Sequence, residues 1–152
     1  MNEKELFKSN TKNVFALNYF NLLKTSSWIE MQIKEALKPY DLTHSQLNVL
    51  SVLVKSHPDP LDAKTIKESI IVASPDVTRL IDRLVIKGFV DRKTCPANRR
   101  KIDISVTENG MDFFFKVHRV AREALNNYFK DQLTEEEARM MYKLLGKMRT
   151  NN

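Results

Sequence analysis

The sequence is short of the residues on which several common chemistries depend. A single cysteine, Cys95, excludes an internal disulfide and points to a reducing compartment. Three glycines in 152 residues leave little material for a loop that cradles phosphate. No apolar run approaches the roughly 18 residues that a membrane span needs, so no membrane association is expected. The opening MNEKELFKSN carries acidic side chains and no apolar core, so no signal peptide is expected there. Together these features suggest a cytoplasmic protein. His44, His57 and His118 stand far apart, with no cysteine or carboxylate at ligand spacing, so neither a metal nor a cofactor is expected. A nucleophile beside a base, paired carboxylates within one motif and internal repeats are also missing, which argues against an enzyme.

What is present is basic and ordinarily apolar. The chain is 42% hydrophobic and 29% charged, which suits one soluble globular unit. A net charge of +6 and a pI near 9.4 fit a polyanionic partner. The excess gathers in residues 74–106, which hold eight basic against four acidic side chains. Val77, Leu80, Ile81, Leu84 and Val85 fall on one stripe and predict a helix. Ser74 is its expected N-cap, Pro75 fits the first helical position, and Gly88 after Lys87 is the expected C-cap glycine. The period then changes to two: Ile102, Ile104 and Val106 alternate with Asp103 and Ser105, and Val90, Arg92 and Thr94 can pair with them. Residues 95–100 are left as a polar, basic tip. A helix followed at once by such a hairpin is the layout of a winged helix, whose helix and tip can reach two grooves of one duplex.

In chain order, residues 1–11 are polar and expected to fray. A long helix is predicted over about 13–38, with Leu22, Ile29, Ile33 and Leu37 on one face. Val14, Leu17, Tyr19, Phe20 and Leu23 crowd its start around most of the circumference, so burial by a second subunit is expected there. Thr43 and Gln46 have capping-box spacing before a helix whose stripe is Leu47, Leu50, Leu53 and Val54. Asp62 can cap a short helix, 63–69, with Ile66 and Ile70 inward. This precedes the 74–88 helix as a helix-turn-helix. Thr107 caps a helix over about 108–129, with Met111, Phe114, Phe115, His118, Ala121 and Leu125 on its apolar side. Thr134 and Glu137 form a second capping box before a last helix with Met140, Met141, Leu144, Leu145 and Met148 as its stripe. The expectation is a mainly α fold with a small β-hairpin wing. Residues 41–106 form the winged helix-turn-helix, and 1–40 with 107–152 form a helical dimerisation layer.

Three blocks carry a family resemblance: LTHSQLNVL at 42–50, VTRLIDRLVIKGFVDR at 77–92 and NRRKIDISVTENG at 98–110. They resemble the helix opening, the recognition helix and the wing of the MarR family of bacterial transcriptional regulators. Two departures stand out. The family's wing usually reads Asp-Pro-x-Asp-Arg-Arg, whereas here Cys95-Pro96-Ala97-Asn98-Arg99-Arg100 replaces its second Asp with Asn98. Val106 stands where the family usually has Leu. The resemblance implies a homodimer that binds double-stranded DNA at a pseudo-palindromic operator. It further implies repression, with release by a small aromatic or phenolic effector.

The candidate contact residues follow from both lines. Arg79 near the start of the recognition helix can bond guanine O6 and N7 in bidentate fashion; its alternative is a surface arginine paired with Asp76 or Asp82. Ser74, Pro75 and Thr78 lie at the same helix end; Thr78 suits a thymine methyl or a phosphate, and the alternative for Ser74 is a cap and nothing more. Asp76 favours the helix dipole and repels phosphate, so its role is expected to be structural. Arg83 beside Asp82 is expected to brace the helix against the wing first and to meet phosphate second, as the resemblance implies. Asn98, Arg99, Arg100 and Lys101 form the tip. Arg100 matches the family's minor-groove arginine, and a narrow A·T-rich minor groove attracts such a side chain. The alternative is a solvated charge run. Cys95, flanked by Arg92, Lys93 and Arg99, is a candidate redox-sensing thiol, yet an incidental thiol is the simpler expectation. The resemblance places an aromatic acid in a cleft near His44, which Trp28 and His118 can also line; ordinary packing is the alternative for each. A winged module that binds protein rather than DNA is the remaining alternative for the whole chain.

Overall fold

Asn13 opens the first helix, its side-chain oxygen accepting the Phe15 amide at 2.9 Å, and α1 runs over Val14–Leu37. In the computed structural model, positions are described for residues 13–71, 76–96 and 98–149, the side chains of Arg99 and Arg100 excepted. The expected fraying of residues 1–11 lies outside these. Pro39 enters a single 3-10 turn, Lys38–Tyr40, and Asp41 follows with a left-handed φ of 48°. The predicted capping box is present. Thr43 Oγ1 accepts the Gln46 amide at 3.2 Å, and Gln46 Oε1 accepts the Thr43 amide at 3.0 Å. This fixes the start of α2, His44–Ser56. Asp62 caps α3, Ala63–Ser69, through the Thr65 amide at 2.8 Å.

The recognition helix α4 spans Val77–Ile86 and begins later than its sequence suggests. Asp76 rather than Ser74 is its N-cap, the carboxylate accepting the Arg79 amide at 3.0 Å. The physical reason is that an acceptor three residues upstream of a free amide satisfies it, and its negative charge also suits the helix dipole. Ser74 and Pro75 lie outside the described residues. Gly88 ends the helix with φ at +73°, a conformation that costs glycine little.

Two antiparallel strands follow, β1 (Val90–Cys95) and β2 (Asn98–Val106). Val90, Arg92 and Thr94 pair with Val106, Ile104 and Ile102 as the alternation implied. The turn is shorter than expected. Cys95 and Asn98 are themselves paired, so Arg99 and Arg100 belong to β2 rather than to an open tip. Leu61 adds a short bridge to Ile104, with hydrogen bonds of 2.9 Å in both directions, which the sequence pattern did not reveal. Helix α5, Glu108–Gln132, continues three residues past its predicted end, and α6 spans Glu135–Arg149. The second capping box also forms, with Thr134 N donating to Glu137 Oε2 at 2.8 Å. The architecture is mainly helical with a small hairpin wing: a winged helix-turn-helix set on helices α1 and α5, with α6 following at the C-terminal end.

The core lies where α2, α3, α4 and the hairpin meet α1 and α5. Leu37, Val49, Leu50, Leu53, Ile66, Ile81, Leu84, Val90, Ile104 and Val117 are at most 1% exposed. On α5, Val117 is buried, whereas Phe115, expected to point inward, is 56% exposed. Three consecutive phenylalanines at 113–115 cannot all face one side of a helix. Phe113 stacks on Phe89 at 4.1 Å and Phe114 is buried, which leaves Phe115 outside.

Phe89 also lies close against the backbone of Gly110. A Cβ on Gly110 would lie 2.0 Å from the Phe89 carbonyl oxygen. Gly110→Ala is therefore expected to push α5 off the end of the recognition helix. The strain should lower stability by about 1–3 kcal/mol. A fall of several degrees in the midpoint of a circular-dichroism melt is the expected result, and an unchanged midpoint would contradict the close approach.

Candidate nucleic-acid interface

The outward face of α4 is built by the removal of its acids from competition. Asp76 is committed to the helix cap. Asp82 is committed to Arg92 of β1, whose Nη1 bonds its carboxylate while Nη2 reaches the Thr78 carbonyl at 3.3 Å. The two acids that could have held Arg79 are thus engaged elsewhere. Arg79 and Arg83 are exposed, and among the described residues neither guanidinium has a carboxylate partner. The brace between helix and wing is made by Asp82 with Arg92, where Arg83 had been expected. The pairing of Arg92 with Ile104 places it on the hairpin face beside α4, whereas Arg83 lies one residue round the helix from Asp82. Arg83 instead lines a groove with Lys34, Lys38 and Lys87.

A second tie holds the far end of α4. Lys87 Nζ donates to both the backbone oxygen and the carboxylate of Asp41, the latter at 2.7 Å. The Lys87 hydrogen bond and its charge hold the Asp41 carboxyl below its ordinary value. On the wing, Asn98 and Lys101 are exposed on β2 with Arg99 and Arg100 between them in sequence. Thr78 is exposed and lines the crevice between α4 and the hairpin with Arg92, Lys93 and Ile102. The structure thus sets Thr78, Arg79 and Arg83 on one helix and Asn98 and Lys101 on the adjoining strand. Cys95 is half-buried opposite Asn98.

The other candidates fall in two places. His44 and His118 line one groove of about 760 Å³ between α1, α2 and α5. Trp28 is not among its lining residues; its ring lies against Tyr128 at 3.9 Å. The groove also holds Phe114, Leu125, Lys55, Arg119 and Arg122, and beside them Asn48. Asn48 is 7% exposed, and its Nδ2 has no hydrogen-bond partner among the described residues. The sequence pattern assigned no bracing or binding role to Asn48, Arg92, Lys87 or Glu30, which pairs with His44. A polar Asn inside the α2 stripe between Leu47 and Val49 was the one available signal; the other three act through residues distant in sequence. Among the described residues no cluster of metal-ligating side chains occurs, and no helix is long and apolar enough to cross a membrane.

The chain is similar to known proteins over most of its length. Residues 42–102 match the model of the MarR family. This segment of the chain is a MarR-family domain. It is 29% identical over 136 residues to an HTH-type transcriptional regulator of Bacillus cereus, covering 88% of this chain and 87% of that protein. It is 29% identical over 117 residues to the multiple antibiotic resistance protein MarR of Escherichia coli, covering 76% and 79%. The S. aureus MepR–DNA complex shares the fold, with a TM-score of 0.76 at 22% identity, covering 88% of this chain and 97% of that chain. With this MarR-family domain, and with relatives that are regulators by name, the chain is a transcriptional regulator.

Asp62 offers a stability test within this MarR-family module. Hydrogen bonds from the Thr65 backbone and hydroxyl hold its carboxyl below the ordinary value, with the Lys101 and Lys64 charges adding to the effect. A depressed folded-state value means the stabilisation is present above the unfolded value, ~4, and disappears as pH falls through the folded one. Asp62→Asn keeps a capping oxygen but removes the charge. The stability gap between wild type and Asp62→Asn in denaturant titrations should therefore shrink as pH falls below about 5. A gap independent of pH would contradict this assignment.

Proposed function

We propose that this regulator is a homodimeric, sequence-specific DNA-binding repressor that acts in the cytoplasm. Its α4 helices would enter successive major grooves, and its wings the flanking minor grooves. The observation that carries this proposal is the commitment of Asp76 and Asp82 to other partners, which leaves Arg79 and Arg83 outward beside a basic wing. A protein-only adaptor has no need to keep such cations free of nearby acids. MepR, which has the same fold, is bound to DNA in its solved complex. In this chain Thr78, Arg79, Arg83, Asn98, Arg99, Arg100 and Lys101 would contact the duplex, with Arg79 on a base edge and Arg100 in the minor groove. Ser74 and Pro75 would adjoin the same contact at the helix entrance.

A second copy is favoured by what α1 and α6 expose. Phe15 is 80% exposed, Tyr142 77%, and Val14, Tyr19, Leu23, Met140, Leu144 and Met148 are each more than half exposed. Apolar area of this kind on two helices favours burial against another subunit. Residues 1–40 and 107–152 would form that dimerisation layer and residues 41–106 the reading head. Two-fold symmetry then requires half-sites about one helical turn, roughly 10 bp, apart. A small aromatic acid would act as effector in the groove lined by His44 and His118. Its ring would lie on Phe114 and Leu125, its carboxylate near Arg119 and Arg122, and an acceptor would meet the unpartnered Asn48 amide. Control by such a ligand requires unequal affinity for the DNA-competent and incompetent states.

Arg79→Ala is expected to weaken binding to the preferred duplex by about 1–3 kcal/mol, with less effect on random DNA. Arg100→Ala should weaken the preferred complex and flatten the log–log salt dependence by about 0.9 for each phosphate that is no longer neutralised. Fluorescence anisotropy titrations at several salt concentrations measure both. Unchanged affinity and slope in the two variants would refute the contact assignment.

A further inference from the structure

We propose that Glu30 and His44 are positioning residues for DNA recognition, a pair that fixes the angle at which the reading head hangs from α1. The inference rests on the dimeric DNA-binding role above. His44 Nδ1 lies 2.9 and 2.8 Å from the two oxygens of the Glu30 carboxylate, so its single proton is shared across both. The two residues belong to different parts of the fold, Glu30 to α1 and His44 to the first turn of α2. Both ends are held. The Thr43–Gln46 capping box locks the His44 backbone, and Glu30 lies one turn before the buried Ile33.

The space around the pair is open. His44 lines a groove of about 970 Å³ towards α4 and another of about 760 Å³ towards α5. Apolar packing carries no directional preference of its own. Where it is interrupted on two sides, the angle between α1 and α2 is soft unless a directional contact sets it. A charge-assisted hydrogen bond to a carboxylate is such a contact. The tie from Lys87 to Asp41 then passes the setting on, because it links the α1–α2 connection to the end of the recognition helix. The side chains of His44 and Glu30 are 22% and 45% exposed, so the pair contributes little to global stability. Its removal alters geometry in a chain that stays folded.

The sole cysteine gives a probe that needs no DNA. Cys95 ends β1 on the wing, and a nitroxide attached there reports wing-to-wing distances in a dimer by pulsed dipolar EPR. The full-length wild type should give one narrow distance distribution. Glu30→Ala and His44→Ala should each broaden or shift it alike, the double variant should do no more than either, and Glu30→Gln should fall between. Melting temperatures should stay close to wild type. In competition among duplexes of varied half-site separation, the alanine variants should lose about three- to tenfold of the wild-type preference for one separation, in line with a partly exposed pair. Wild-type distances and spacing preference in both alanine variants would overturn the proposal, as would additive effects in the double variant. A wild-type protein with no dipolar coupling would overturn the dimeric role itself, while dipolar coupling in a wild type without preference among duplexes would overturn its DNA-binding role.

Discussion

The joint between the recognition helix and α5 is the constraint on which the rest of the structure depends. Thr107 Oγ1 donates to the Gly88 carbonyl at 2.8 Å and accepts the Gly110 amide at 2.9 Å. The Thr107 amide donates to the Phe89 carbonyl at 3.0 Å. One residue therefore ends the chain's path out of α4 and caps the start of α5, with the whole hairpin looped between. The absence of a side chain on Gly110 lets the two backbones meet there. Through this joint the reading head is fastened to the long helices, and the wing is carried at a set distance from α4.

Electrostatics then decides what the reading head presents. A net charge spread evenly would say little about a partner. Here the acids near α4 are used internally, Asp76 by an amide, Asp82 by Arg92 and Asp41 by Lys87. Each commitment stabilises the local fold and withholds a carboxylate from the outward arginines, so the same contacts that brace the helix also shape its outward potential. At the opposite end the balance reverses. Helices α1 and α6 expose apolar side chains that the other described residues do not cover, and no residue of α6 is buried. One end of the molecule is thus suited to a polyanion and the other to an apolar surface.

Much of this was legible in the sequence, because it is local. The boxes Thr43–Gln46 and Thr134–Glu137 need only a three-residue spacing, and both form. The pairing of Val90 with Val106 follows from alternation about a short turn. The recognition stripe of Val77, Ile81 and Leu84 follows from the helical period. Contacts between distant residues were not legible. Asp41 lies 46 residues from Lys87, and nothing in either neighbourhood marks the pair. The brace went to Arg92 rather than Arg83 because strand register, not proximity in sequence, brings a guanidinium to Asp82. The cap moved from Ser74 to Asp76 because both are good cap residues and only the backbone path chooses between them.

The central claim is that a two-fold assembly presents two such reading heads at a fixed separation. Selection of bound duplexes from a random pool tests it most directly. The account predicts enrichment of a pseudo-palindrome whose half-sites lie about 10 bp apart, one helical turn. A pool that stays random, or one that enriches a single asymmetric half-site, would contradict it.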